Sequence, residues 1–410
     1  MLTALVKGVK GGKWFRLFDK VFAERNLQAA LNQVISKGGA PGVDHETVEA
    51  YDRRRTESIR DLSERIRTGR FEPQGIRRVE IPKPGTSETR PLGIPTVRDR
   101  VVQAAIVNVI EPIFERDFAA HSYGFRPNRG TKDALRRVEQ LLQDGYTHVV
   151  DADLKGYFDT IPHDRLMDRL KAKIADGPTL SLIEKFLKAN ILDGVSQWTA
   201  EAGVPQGAVL SPLLSNVYLD PLDHQMARES FQMVRYADDF VILCRTAAEA
   251  RRALDRVRGW VTENGLTLHP TKTRLVDMTE GEFDFLGYHF YRHRGRIRHR
   301  ARDKSIRKLK ATLRPKTKRT SGQSLPSTIA DVNRTLRGWF VYFQHSRPFV
   351  FERIDRWLRQ RLRGILRKRT KRRGVAKGWD FHRWPNAFFI EHGLFSLAMA
   401  HATIRQSSRR

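Results

Sequence analysis

The sequence has 410 residues, of which 40% are hydrophobic and 9% aromatic; this composition excludes an intrinsically disordered chain and suffices for two or three domain-sized cores. Its 75 Lys and Arg residues against 46 Asp and Glu give a net charge of +29, which is typical of proteins that bind a polyanion such as nucleic acid. The single cysteine, Cys244, excludes an intrachain disulfide and a cysteine-based zinc site.

The sequence also lacks the signatures of two common enzyme classes and of a membrane span. Neither the phosphate-loop pattern Gly-x-x-x-x-Gly-Lys-Ser/Thr nor the zinc-protease pattern His-Glu-x-x-His occurs. No stretch approaches the roughly 18 consecutive apolar residues that a spanning helix needs, and the first ten residues are too short for a secretory signal. We therefore expect a cytoplasmic protein with a nucleic-acid partner and no membrane partner. Any metal site must use oxygen ligands.

The N-terminal part predicts helices followed by a basic hairpin. Helical patterns over residues 1–75 are interrupted by the segment 37–44, whose glycines and proline prevent a continuous helix. Segments 77–84 and 90–95 predict the two arms of the hairpin. Apolar residues at helical spacing predict a helix over 99–116.

The central region predicts interleaved strands and helices. Residues 149–154 predict a buried strand that ends in acids, and a helix is expected to begin near His163. A second apolar helix is predicted over 209–222. A capping pattern begins at Thr246 and a stop signal follows at 264–265, so these positions bracket a third helix.

One segment of this region is an acidic hairpin, Tyr236-Ala237-Asp238-Asp239, between the apolar runs 233–234 and 240–243. Side chains alternate between faces along a strand, but a tight turn breaks this alternation, so both carboxylates can approach one site. Paired carboxylates favour a hard cation such as Mg²⁺. A solvated turn is the alternative, because Asp is common in turns for local hydrogen-bonding reasons.

A second pair of acids, Asp151 and Asp153, ends the strand at 149–154. Two-metal catalysis of phosphoryl transfer needs carboxylates from separate segments, and the strand end and the hairpin supply two such segments. Both Asp151 and Asp153 lie on the same face of the strand. Periodicity therefore does not choose between them.

Beyond about residue 300 the chain becomes strongly basic. Segments 301–320 and 359–377 are dense in Arg and Lys, which favours contacts with phosphates. Apolar residues at helical spacing predict two amphipathic helices in this region. Their stripes are Ile329, Val332, Leu336, Trp339 and Phe343, and Phe351, Ile354, Leu358, Leu362 and Ile365.

From about residue 37 to the C-terminus the sequence resembles the reverse transcriptases encoded by group II introns, also called maturases. Many motifs in the order of that family make the resemblance specific. They are 39–44 (GAPGVD), 90–95 (RPLGIP), 124–127 (GFRP), 153–159 (DLKGYFD), 205–207 (PQG), 211–216 (SPLLSN), 236–239 (YADD), 272–273 (KT), 285–288 (FLGY), and 337–339 (RGW) with Tyr342.

The resemblance implies roles for the acids. Asp153 is the first metal ligand, because the acid of the family precedes an aromatic residue by five positions, and Asp151 becomes a supporting residue. Asp238 is the second metal ligand, and Asp239 is a neighbouring catalytic acid that is also a candidate metal ligand. The backbone carbonyl of Leu154 is a further candidate ligand, and the implied cofactor is Mg²⁺.

The resemblance also implies a nucleotide site. Phe158 is expected to pack against the sugar of the incoming nucleotide and to exclude a 2'-hydroxyl, and the alternative is an ordinary core aromatic. Lys83 and Arg90 on the basic hairpin are expected to bind the triphosphate. Gln206 is expected near the nucleotide or template base. Lys272 is expected to donate a proton to the departing pyrophosphate.

Contacts with nucleic acid are expected from Arg126 and, in the basic C-terminal region, from Arg337, Arg363 and Arg367. Such phosphate contacts position a duplex without reading its sequence, as a polymerase requires. Trp339 lies on an apolar stripe and is expected in the core.

The fold class expected from the resemblance is α/β, a right-hand polymerase with fingers and palm and a helical basic thumb or maturase domain. We expect an N-terminal extension and the start of the fingers over 1–75, fingers and palm over 76–295, and the thumb over 296–410. Many relatives carry a C-terminal endonuclease with paired cysteines and histidines, and this sequence shows none, so we expect the endonuclease-lacking form.

The expected activity is extension of a DNA primer on an RNA template with dNTPs, together with binding of a group II intron RNA to assist splicing and mobility at a DNA target. Two alternatives stay open. One is a stand-alone or defence-associated reverse transcriptase without an intron partner, and the other is an RNA-binding splicing maturase with little polymerase activity.

Overall fold

The computed structural model of the protein describes residues 12–82, 89–193, 196–199, 201–372, 374 and 376–407. The chain forms two compact units, Met1–Asp277 and Met278–Arg410. Strands and helices interleave in the first unit, and the second combines a small sheet with helices. The predicted mixed α/β class is therefore confirmed. Across the described ranges, no helix is both long enough and apolar enough to cross a membrane.

The first unit contains helices that mostly fall where apolar residues recur at helical spacing. Its helices are α1 (Phe18–Phe22), α2 (Glu24–Lys37), α3 (Val48–Arg53), α4 (Arg55–Arg67), α5 (Val97–Glu115), α6 (Thr131–Gln143), α7 (Tyr157–Thr160), α8 (His163–Lys173), α9 (Gly177–Leu187), α10 (Ser211–Arg228) and α11 (Ala247–Glu263). Its strands are β1 (Ile76–Pro82), β2 (Thr89–Ile94), β3 (His148–Asp153), β4 (Asn190–Asp193), β5 (Ser196–Thr199), β6 (Gln232–Tyr236), β7 (Asp239–Cys244) and β8 (Arg274–Asp277).

The central sheet of this unit is antiparallel, with the strand order β6-β7-β3-β8. In β7 the five consecutive residues 240–244 are all buried, which means that both faces of the strand are covered. Helices α6, α10 and α11 pack against this sheet. Covered faces explain why the β7 sequence is continuously apolar instead of alternating.

A second sheet of the first unit has the order β2-β1-β4-β5. Strands β1 and β2 form the predicted antiparallel hairpin. β4 pairs with β1 in parallel and with β5 in an antiparallel hairpin. The β4–β5 hairpin was not predicted from the sequence.

The second unit begins with an antiparallel sheet of order β11-β10-β9 and continues with helices. The strands are β9 (Phe283–Phe285), β10 (Tyr288–His293) and β11 (Arg296–Ala301). The helices are α12 (Asp303–Lys316), α13 (Leu325–Phe343), α14 (Pro348–Arg369), α15 (Trp379–Arg383), α16 (Asn386–Glu391) and α17 (Leu397–Ser407). The two predicted amphipathic helices correspond to α13 and α14, whose apolar stripes are largely buried.

The unit boundary after Asp277 lies upstream of the boundary expected near residue 295. Strands β9 to β11 therefore group with the basic helices and not with the central sheet.

Candidate active site

The acids of the two predicted segments meet at one end of the central sheet. Antiparallel pairing of β3 with β7 places Asp153 directly opposite Asp239. Tyr236 pairs with Asp239, so Ala237 and Asp238 form the two-residue turn between β6 and β7. The hairpin expected from the sequence is therefore present, with Asp238 in its turn.

Asp238 is adjacent in sequence to Asp239, the residue that pairs with Asp153 across β3 and β7. Burial, together with the charge of Asp153, raises the pKa of Asp238 above its ordinary value, although Arg235 and Lys272 oppose the shift. Two carboxylates that repel each other in a partly buried site form an arrangement that a divalent cation would stabilise.

This donor set fits a magnesium ion in its chemistry, because it consists of carboxylate oxygens and the Leu154 carbonyl. An isolated antiparallel bridge joins Leu154 to Leu268. The Lys155 N–H donates to the Thr267 carbonyl and the His269 N–H donates to the Asp153 carbonyl, so neither hydrogen bond uses the Leu154 carbonyl oxygen. Within the ranges that the structure covers, no three His, Cys, Asp or Glu side chains are already arranged as a metal-binding cluster. The site would therefore need substrate oxygens or water to complete the coordination.

Neighbouring cations distinguish the two acids of β3. Asp151 accepts a hydrogen bond from Arg274 Nε at 3.0 Å, and Arg274 lies opposite it on β8. Asp153 pairs with Lys272 Nζ at 2.7 Å. The Asp153 side chain is 31% exposed and that of Asp151 only 16%. The structure thus brings Lys272 to the acid at the open end of the strand.

A buried network that the sequence analysis missed supports the turn. Ala237 has φ of 59°, a conformation that costs energy for any residue other than glycine. Its carbonyl accepts a bond of 2.9 Å from Arg235 Nη1, and the same nitrogen donates to Asn216 Oδ1 at 3.0 Å. Asn216 Nδ2 in turn donates to the Gly124 carbonyl at 2.8 Å. A Cβ at Gly124 would overlap the backbone of Ala237.

The charge in this network is balanced within the core. Arg235 and Asp223 are both fully buried, and Arg235 Nε donates to Asp223 Oδ1 at 2.8 Å. Burial alone would lower the pKa of Arg235, but Asp223 raises it above its usual value. An arginine directly after the apolar residues Met233 and Val234, within a predicted strand, is the sequence signal that could have revealed this pair.

Five residues after Asp153 in the sequence, Phe158 lines a cleft of about 510 Å³ together with Asp159, Gln206 and Arg78. Phe158 is partly buried and packs against the hydrophobic core. Gln206 Nε2 lies 3.5 Å from Asp159 Oδ2. Burial raises the pKa of Asp159, although Arg78 opposes the shift. The structure therefore brings two of the predicted nucleotide-site residues, Phe158 and Gln206, to one cleft.

The predicted triphosphate contacts lie on the β1–β2 hairpin. Arg90 is exposed on β2, opposite Ile81. Lys83 lies outside the described residues.

Two arginines predicted to contact nucleic acid have structural partners instead. Arg126 is buried, binds both oxygens of Glu115 at 2.8 to 3.1 Å, and donates to the carbonyl of Ser122 at 2.9 Å. In the second unit Arg363 is buried, and its Nε donates to the carbonyl of Trp384 at 2.8 Å. Because a buried guanidinium cannot reach a phosphate, we correct both assignments to structural roles.

The other two predicted contacts differ from each other. Arg367 forms an ion pair with the buried Asp380 and so also stabilises the unit. Arg337 is exposed, with its guanidinium 4.9 Å from the ring centre of Phe395. Trp339, expected in the core, is partly buried and stacks on Phe343 at 4.6 Å.

Comparison with known families matches both parts of the chain. The family described as "Reverse transcriptase (RNA-dependent DNA polymerase)" matches residues 81–290. The family described as "Group II intron, maturase-specific domain" matches residues 306–384. The first match covers the central sheet and the cleft, and the second covers most of the basic helices.

Individual relatives agree with these matches. The chain is 36% identical to Protein YkfC of Escherichia coli over 310 residues, which are 66% of this chain and 81% of that protein. It is 37% identical to the group II intron-encoded protein LtrA of Lactococcus lactis, over 51% of this chain and 34% of LtrA. It is 27% identical to the putative COX1/OXI3 intron 1 protein of Saccharomyces cerevisiae, over 83% of this chain and 47% of that protein.

The chain thus spans less than half the length of these two intron proteins. Among solved structures, it covers 41% of a chain in a "Partial Cas6-RT-Cas1--Cas2 complex" at 24% identity and a TM-score of 0.39, below the level at which a shared fold follows. The two family matches are decisive, since together they extend from residue 81 to residue 384. The chain therefore belongs to the reverse transcriptases of the group II intron-encoded type, and it is an RNA-directed DNA polymerase.

Proposed function

We propose that this polymerase extends a DNA primer on an RNA template by metal-dependent nucleotidyl transfer, with Asp153 and Asp238 as the principal metal ligands. The observation that carries the proposal is the convergence of these two acids at one end of the central sheet, where Asp153 pairs with Asp239 and Asp238 lies in the adjoining turn. In this interpretation the central sheet is the palm, the β1–β2 hairpin belongs to the fingers, and the second unit is the thumb.

Each residue has a distinct task in this reaction. Bound Mg²⁺ would supply activation of the primer 3'-hydroxyl and neutralisation of phosphate charge. Asp153, Asp238 and the Leu154 carbonyl would hold it, with Asp239 as a neighbouring acid. Phe158 packs against the sugar of the dNTP. The protein itself contributes positioning and electrostatics and little covalent chemistry.

The remaining polar residues act on the nucleotide. Gln206 lies in the same cleft as Phe158 and would contact the nucleotide or the template base. Arg90, together with Lys83, would bind the triphosphate. Lys272 Nζ lies 2.7 Å from Asp153 Oδ2, and Lys272 would donate a proton to the departing pyrophosphate.

Primer extension tests this proposal. Wild type and Asp238→Asn are compared on a DNA primer annealed to an RNA template, with dNTPs and Mg²⁺. We expect loss of incorporation in Asp238→Asn, because a neutral amide binds a hard cation much more weakly than a carboxylate does. Asp168→Asn is the matched control, since Asp168 is an exposed acid on α8. Equal incorporation by Asp238→Asn and wild type would refute the catalytic assignment.

A second function, binding of a folded group II intron RNA to assist splicing and mobility, is supported by charge. Residues 278–410 contain 33 Lys and Arg against 9 Asp and Glu, so they hold most of the net positive charge of the chain. Much of this charge is exposed, for example at Arg307 and Lys308 on α12. Co-purification and sequencing of bound RNA tests this second function. Recovery of intron RNA flanking the coding sequence is expected, and its absence would favour a stand-alone or defence-associated enzyme.

A further inference from the structure

In the second unit, the short helix α15 is fixed from one side by two arginines. Asp380 is buried and forms an ion pair with Arg367, and its Oδ2 also accepts the Lys377 backbone N–H at 3.0 Å. The guanidinium of Arg363 lies 4.7 Å from the ring centre of Phe381. These contacts set the rotation of the helix about its axis, so its remaining face must point outward.

That outward face consists of Trp379, His382 and Arg383, which are related by helical spacing of three and four residues and so lie on one side of α15. Trp379 is 70% exposed. The ring centres of Trp379 and His382 are 5.8 Å apart. Arg383 is also exposed. We call this face the Trp379 surface.

The charge around the Trp379 surface is positive. Between residues 371 and 390 the sequence contains a single acid, Asp380, and that acid is buried and paired with Arg367. Lys371, Arg372 and Lys377 are exposed in the same segment. A strongly exposed tryptophan is unusual, because burying a large aromatic side chain is favourable. Here it stands beside an imidazole and cations, and the next exposed acid along the sequence is Glu391.

We infer that the Trp379 surface binds unpaired RNA, with Trp379 stacking on an exposed base and Arg383 contacting the adjoining phosphate. Bases in single strands offer a flat π face to aromatic side chains, whereas paired bases are hidden in the stack. Phe381 on the same helix is also 45% exposed, so a protein contact is the other outcome that the test distinguishes. This inference rests on the proposed RNA binding by the second unit and adds to it the kind of RNA and the residue that contacts the base.

The test measures the affinity of the intact protein for a labelled 12-nucleotide RNA without secondary structure, by fluorescence anisotropy at several salt concentrations. Trp379→Ala should weaken binding about tenfold, in line with the contribution of a single stacked base. The salt dependence should be unchanged, because no charge is removed. Trp379→Tyr should retain most of the affinity, since it keeps an aromatic face.

Phe349→Ala is the matched control, because Phe349 is another exposed aromatic of the same unit, at 49% exposure, and its loss should not change the affinity. Single-nucleotide incorporation on saturating, pre-annealed primer and template should be unaffected by Trp379→Ala. The two proposals therefore have separate measurements. RNA affinity tests the role of Trp379, and nucleotide incorporation by the wild type tests the polymerase proposal.

Two results would overturn the inference. The first is unchanged RNA affinity in Trp379→Ala, and loss of self-association of this variant in light scattering would then identify the face as a protein contact. The second is an equal loss of RNA affinity in Trp379→Tyr and Trp379→Ala, because stacking requires only an aromatic face.

Discussion

At the scale of single residues, two acids on one strand meet different environments. Asp151 faces Arg274 across the sheet and is the more buried of the two, whereas Asp153 lies at the open end of β3 with Lys272. The sequence placed both on one face and left the choice open, and only the family resemblance favoured Asp153. Both acids pair with a cation, so the feature that supports this choice is exposure: the Asp153 side chain is 31% exposed at the end of the strand and that of Asp151 is 16% exposed.

Phe158 gives the first residue-scale prediction. Its ring lines the cleft and contacts Phe125 edge-on, with ring centres 6.4 Å apart. If it excludes a 2'-hydroxyl, Phe158→Ala should lower the preference for dNTP over rNTP by about 10- to 200-fold, the usual range for one steric contact in a pocket. The measurement is the ratio of kcat/KM for the two nucleotides. Phe158→Tyr, which keeps the ring, serves as the control. Unchanged discrimination in Phe158→Ala would return this residue to a packing role.

Cys244 gives a second residue-scale prediction. It is fully buried at the end of β7, and burial raises the pKa of its thiol to about 12. Relative to an ordinary thiol pKa of 9.0, this shift leaves roughly a thousandfold less thiolate at neutral pH, and the thiolate is the reactive form. The native protein should therefore resist a thiol reagent and react with one equivalent only after unfolding in denaturant. Rapid labelling of the native protein would contradict the burial of β7.

At the scale of elements, the β6–β7 turn is held from outside the hairpin. Gly124, in the loop before α6, lies against Ala237, and Arg235 and Asn216 join that loop to the turn. The strained Ala237 persists because these contacts determine its conformation. The position of Asp238 thus depends on residues that are distant in the sequence.

Gly124→Ala tests this dependence. The added Cβ must displace the Ala237 backbone, and small displacements of a catalytic group are costly. We expect single-turnover nucleotide incorporation to fall by about a hundredfold, with a melting temperature that shows the protein to be folded. Gly259→Ala is the matched control: an added Cβ there meets nothing within 4 Å, and the helical site should gain slightly in stability. Equal activity of the two variants would refute a positioning role.

The elements themselves were predictable to different degrees. Long periodic segments such as α5, α11 and α14 were predicted from spacing and capping residues, because those signals are local. The β4–β5 hairpin has strands of only four residues and an exposed β5, so it carries no alternating pattern. For Arg126 and Arg363 the sequence showed the residue type but not its burial, because their partners come from contacts that only the folded chain creates.

At the scale of the whole molecule, charge and catalysis are divided between the two units. The first unit contains the acids and the cleft, and the second contains most of the net positive charge. Such a division suits an enzyme that must bind RNA by its backbone and react at one carboxylate site. This division also predicts that substitutions in the second unit can weaken RNA binding without changing the rate of nucleotide incorporation.

The salt dependence of RNA binding checks this separation. Replacing Arg307 and Lys308 with Gln removes two exposed charges from α12. The slope of log K against log salt concentration should become shallower by about 0.7 to 0.9 for each lost phosphate contact, while the incorporation rate at saturating primer and template stays unchanged. Arg363 is unsuitable for this experiment because it is buried. A salt-independent affinity in the wild type would contradict the electrostatic account.

The most direct test of the central claim, that Asp153 and Asp238 form one metal site, is a double-mutant cycle on the single-turnover incorporation rate. Asp153→Asn, Asp238→Asn and the double variant are measured on the same primer and RNA template at saturating Mg²⁺. Residues that act as a unit are strongly non-additive, so the double variant should be no slower than the slower single variant. A double variant whose loss equals the product of the two single losses, or a single variant that retains the wild-type rate, would contradict the claim.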